Sequence, residues 1–106
     1  MPKTYNKLVR DCIPDIIQAE GRRCETETLS DAEYEQALRA KLVEEAEEAA
    51  QASDEQLAQE LADMYEVIDA LMALKGISEA QVRAIQAQRH AERGGFSRRL
   101  KLLWAE

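Results

Sequence analysis

From residue 30 to residue 75 the apolar positions recur every three or four residues, which is the spacing of helices with one buried face. Tyr34, Leu38, Leu42 and Ala49 fall in one narrow stripe at 100° per residue. Ser30 or Asp31 can cap this helix, which should run to about Ala52. A second helix follows at once, with Ser53 and Gln56 spaced as a capping box, and reaches Lys75 before Gly76. Its apolar arc, Leu57, Leu61, Met64, Tyr65, Val67, Ile68, Leu71 and Met72, is too broad for one neighbour and needs contacts on at least two sides. The pattern therefore predicts a helical hairpin that a second copy of the chain completes, most simply as a dimeric four-helix bundle.

Shorter elements flank the hairpin. A helix over 13–20 admits Pro14 in its first turn and stops at Gly21. Ser78 with Gln81 opens a helix carrying Val82 and Ile85, which fades near 93–95. Residues 22–29 alternate in side-chain type, and 97–103 are basic and apolar by turns, so both are expected as short extended segments. An irregular basic arm with Lys3, Lys7 and Arg10 precedes the first helix. No repeat or linker divides the chain, which reads as a single all-α domain over 1–106.

Composition narrows the function. A formal net charge of −7 disfavours a nucleic-acid binder, because such proteins present a basic face that displaces counterions from phosphates. No stretch approaches the roughly 20 apolar residues that span a bilayer, and no signal-peptide core is visible. A soluble cytoplasmic protein without membrane contact is expected. Cys12 and Cys24 lack the clustering of a zinc site, and a disulfide between them would be unusual in that compartment.

The chemistry concentrates in the hairpin. Glu45 falls inside the apolar stripe of its helix and Glu48 flanks it beside Lys41, whereas Glu44 and especially Glu47 point outward. On the next helix Glu60 projects between Val67 and Leu71, and Asp63 lies at the edge of the arc. If the chain reverses about Asp54, Glu48 comes level with Glu60 and Glu45 with Asp63, although register alone allows shifts of a residue. Isolated buried carboxylates are costly and four together repel, so the set makes sense around a divalent cation. Oxygen donors without histidine or thiolate suit Mg²⁺ or Mn²⁺, and a single histidine, His90, excludes the Glu-x-x-His pairs of di-iron bundles. The alternative is a solvated charge run, as most glutamate clusters on helices are.

These residues resemble the all-α nucleoside triphosphate pyrophosphatases, a superfamily that includes MazG proteins, dimeric dUTPases and phosphoribosyl-ATP pyrophosphohydrolase. Glu45 and Glu48 in EEAEE match its E-x-x-E, and Glu60 and Asp63 in ELAD match its E-x-x-D. YNKLVRDCIPDII, KLVEEAEEA, ELADMYEVIDAL, LKGIS and ERGGF extend the likeness to a short phosphoribosyl-ATP pyrophosphohydrolase-like, house-cleaning branch. The resemblance implies that Glu45, Glu48, Glu60 and Asp63 hold Mg²⁺, and that water cleaves a nucleotide between its α and β phosphorus atoms. Glu48 or Glu44 would activate that water. Lys7, Arg10, Lys41 and Arg93 are the candidate phosphate contacts, with an ion pair to Glu44 or Glu45 as the competing role for Lys41.

Two departures from the branch bear on phosphate binding: Cys12 stands where a lysine is expected, and Gln86 and Gln88 lie in a segment usually richer in lysine. Two rival readings remain, phosphoribosyl-ATP hydrolysis and a non-catalytic helical interaction module. Glu66 and Asp69 read as surface residues, and Met64, Tyr65 and Met72 as packing. His90 and Trp104 carry no functional argument.

Overall fold

The computed structural model describes residues 2–106, and every regular element among them is helical: α1 Ile13–Ala19, α2 Asp31–Gln51, α3 Asp54–Lys75 and α4 Glu79–Arg93. The chain forms two units, one ending at Lys75 and the other beginning at Gly76.

In the first unit α1 starts through Pro14 and ends in a Schellman arrangement. The Gly21 amide donates to the Gln18 carbonyl and the Arg22 amide to that of Ile17, while Gly21 takes φ +77°. Residues 22–29 then run outside any helix or strand.

Ser30 is the N-cap of α2. Its hydroxyl accepts from the Glu33 amide at 3.3 Å, and the Ser30 amide donates back to the Glu33 carboxylate at 3.1 Å. That second bond needs a charged Glu33, which holds its pKa below the usual glutamate range. Ala52 at φ −68° and ψ 148° ends α2 in extended backbone, and the Gln56 amide donates to the Ser53 carbonyl at 3.0 Å as α3 begins. Asp54 and Glu55 in the first turn and Lys75 in the last complement the helix dipole of α3.

The two long helices pack antiparallel, as the pattern predicts. Leu38, 2 % exposed, and Val67 are the buried apolar residues of their interface, and Met64, Ile68, Leu71 and Met72 are half-buried. At the open end Glu35 accepts from Lys75 Nζ at 2.7 Å and from Arg39 Nε at 3.0 Å, tying the start of α2 to the end of α3. One face of α3 stays uncovered in the single chain: Leu57, Leu61 and Tyr65 follow each other at one-turn spacing and are all exposed, Tyr65 by 56 %.

In the second unit the Ser78 hydroxyl accepts from the Gln81 amide at 3.1 Å and opens α4, which closes where the Gly94 amide donates to the His90 carbonyl at 2.8 Å. Gly94 has φ +82°, a conformation that favours glycine and stops the helix where the sequence indicates. Residues 97–103 form no strand and open with a turn, in which the Arg99 amide donates to the Phe96 carbonyl at 3.0 Å and Arg99 takes φ 57°; Phe96, Leu100, Leu102, Leu103 and Trp104 are exposed. Both cysteines are free and exposed. None of the described helices is long and apolar enough to cross a membrane.

Candidate metal centre in the helical hairpin

The reversal between α2 and α3 determines which acids meet. Ala52 and Ser53 separate the end of α2 at Gln51 from the start of α3 at Asp54. Glu45 on α2 meets Glu60 and Asp63, which lie nearly one turn apart on α3. Glu45, Glu60 and Asp63 accordingly each offer an oxygen within 4.8 Å of the others. Glu48 is exposed and outside this trio, contrary to the expectation that it faces the core. Three residues on from Glu45, Glu48 is turned about 60° around α2, off the buried line.

Burial makes the trio unusual among acidic clusters. Glu45 is only 7 % exposed, and Glu45 Oε2 and Glu60 Oε2 are buried without a hydrogen-bond partner. An unpartnered buried carboxylate oxygen is expensive, so the pair marks a place where a ligand belongs. Burial pushes the Glu45 carboxyl above the usual glutamate range, and the nearby charge of Glu48 pushes it further, partly offset by Lys41. Three carboxylates with two unsatisfied buried oxygens fit a hard divalent cation such as Mg²⁺ or Mn²⁺, which takes oxygen donors.

Cations surround the trio. Lys41 Nζ lies 3.5 Å from Glu45 Oε1 and 3.6 Å from Glu44 Oε2, so both ion pairs weighed for this residue form. Lys7 Nζ donates to Glu44 Oε1 at 3.0 Å, and this bond is the main cause holding Glu44 below the usual glutamate range. Arg10 Nη2 donates to Asp63 Oδ1 at 2.7 Å. Asn6, with φ 46°, bends the arm that delivers both residues; asparagine tolerates this left-handed conformation better than most side chains. Lys7 and Arg10, expected near phosphate, thus sit on carboxylates of the hairpin. Nothing in the spacing of the irregular arm announces those pairings. Arg93, the remaining candidate phosphate contact, is the last residue of α4 in the second unit.

Fold and trio together define an all-α protein with an oxygen-only candidate metal centre inside a helical hairpin. Residues 17–90 match the model of the family described as phosphoribosyl-ATP pyrophosphohydrolase, and the chain belongs to this family, within the MazG-like all-α pyrophosphohydrolases. The match takes in α2, α3 and all three members of the trio, whereas Lys7, Arg10 and Arg93 lie outside it. No curated protein and no solved structure matches the chain.

Proposed function

We propose that this protein is a Mg²⁺-dependent nucleotide pyrophosphohydrolase that cleaves a nucleoside triphosphate between its α and β phosphates, giving a nucleoside monophosphate and pyrophosphate. The observation that carries the reading is the convergence of Glu45, Glu60 and Asp63 with two buried carboxylate oxygens left unpartnered. Family membership supports the reaction class.

Glu45, Glu60 and Asp63 would hold the ion, with Glu48 reaching it from the rim. Bound there, Mg²⁺ supplies neutralisation of phosphate charge and a lowered pKa for coordinated water. Of the two candidate bases, Glu44 is engaged by Lys7 and Lys41 and held in its charged form, which makes it the weaker proton acceptor. Glu48 is exposed and forms no ion pair with the described residues of the arm, so we assign it the water. Glu48 takes a proton from water as the oxygen attacks the α phosphorus; the bond to the bridging oxygen breaks, and its electron pair leaves with pyrophosphate. Lys41, one turn from Glu45, would exchange its carboxylate partners for phosphate charge.

A second reading follows from the matched family itself, hydrolysis of phosphoribosyl-ATP. One experiment separates the two: pyrophosphate release with Mg²⁺ from a panel of normal and modified nucleoside triphosphates and from phosphoribosyl-ATP. Preference for the panel supports the proposal, and preference for the phosphoribosyl adduct supports the second reading. Silence on all of them favours a non-catalytic helical module. Loss of release in Glu45→Ala and Glu60→Ala, with the helical circular-dichroism signal kept, ties the activity to the trio.

We also propose that a second copy of the chain covers Leu57, Leu61 and Tyr65, since one long hairpin cannot bury that arc alone.

A further inference from the structure

The geometry points to Arg10 as a residue that guards the acidic centre, occupying Asp63 until a divalent cation takes its place and frees the guanidinium for phosphate. This rests on the trio being the metal centre.

The trio is more than a group of acids, because Glu45 is more than nine-tenths buried and keeps an oxygen without a partner inside it. Two of its three carboxylates are met by cations. Lys41 faces Glu45 from the same helix, and Arg10 reaches Asp63 from a segment 53 residues away in sequence, at 2.7 Å. The arm is pinned a second time where Lys7 meets Glu44 at 3.0 Å. In a chain with net charge −7, two of the arm's cations are thus spent on the rim of one acidic site.

These contacts are built to be exchanged. The Arg10 and Asp63 side chains are 57 % and 37 % exposed, so their bond is screened by water and worth far less than coordination of a divalent ion. A dication at the trio attracts the Asp63 carboxylate and repels the guanidinium beside it. Arg10 is then released next to a centre that has just become able to bind phosphate, and its planar donors suit a phosphate oxygen pair. The order that follows is cation first, then phosphate, with the arm loosened in between.

Calorimetric titration of the whole protein with Mn²⁺ tests the exchange. Removing the competitor in Arg10→Gln should tighten Mn²⁺ binding by about two- to fivefold, the scale of an exposed ion pair. The same variant, loaded with Mn²⁺, should bind pyrophosphate more weakly than the wild type. Trypsin cleavage after Arg10 in the wild type should speed up when Mn²⁺ is added. Weaker Mn²⁺ binding in Arg10→Gln would show that Arg10 orients Asp63 instead, and unchanged binding that it does neither; both overturn the exchange. The underlying site is read separately, because Glu45→Gln and Glu60→Gln must each abolish Mn²⁺ binding. If they do and Arg10→Gln is without effect, the guard fails and the metal centre stands. If the wild type takes up no Mn²⁺, both fall.

Discussion

Lys41 approaches Glu45 to 3.5 Å on one carboxylate oxygen, while the other oxygen is buried with no partner at all. The ion pair therefore compensates only part of what burial costs this glutamate, and its pKa is raised in consequence.

A raised carboxyl pKa means that the folded chain binds this proton more readily than the unfolded chain does. The charged form at neutral pH is thus a source of instability, relieved as pH falls into the range where Glu45 is protonated in the fold. Glu45→Gln should raise Tm in the absence of divalent cations and remove the upward shift that MnCl₂ gives the wild type. Thermal melts with and without Mn²⁺ check both, and a variant that still responds to Mn²⁺ would displace Glu45 from the centre.

Glu48 separates binding from chemistry. Because it lies outside the trio, Glu48→Gln should retain most of the Mn²⁺ affinity while losing about 10²- to 10⁴-fold in kcat, the range for removal of a general base. Calorimetry alongside pyrophosphate release measures the two effects. An affinity loss as large as that of Glu60→Gln would make Glu48 a ligand of equal rank.

Leu38 is the most deeply buried side chain named in the hairpin interface. Leu38→Ala should cost about 2–5 kcal/mol, read as a lowered midpoint in urea at unchanged slope.

Glu35 supplies a pH dependence of opposite sign to that of Glu45. Its pKa is lowered by the hydrogen bonds from Lys75 and then Arg39, so its contribution is full above the ordinary glutamate value and is lost as pH falls through the depressed one. Glu35→Gln should flatten the acid side of a plot of Tm against pH. The loss of Tm at neutral pH should be smaller than that of Leu38→Ala, because water screens the exposed Lys75 and Arg39 partners.

The uncovered face of α3 predicts an oligomer. Leu61→Asp should lower the mass measured by light scattering to that of a single chain, since a charge at the centre of an apolar contact is left unpaired. A wild type that is itself monomeric would remove this proposal.

Local rules in the sequence account for much of the architecture. Ser30, Ser78, Gly21, Gly76 and Gly94 mark helix ends because caps and left-handed stops act over three or four residues. Helical periodicity likewise places Glu45 in the buried stripe and brings Glu60 and Asp63 toward the same side of α3, but it groups Glu48 with Glu45, and Glu48 is exposed. The segment 97–103 shows the limit of such reading, since its alternation suggests extended chain but it opens with a turn between Phe96 and Arg99. Which acids meet was decided by tertiary structure: α2 and α3 pack so that Glu45 joins Glu60 and Asp63, while Glu48 is exposed. The same holds for Lys7 on Glu44 and Arg10 on Asp63, because a pairing across tens of residues depends on where an irregular arm comes to rest, and no periodicity in the arm encodes that place.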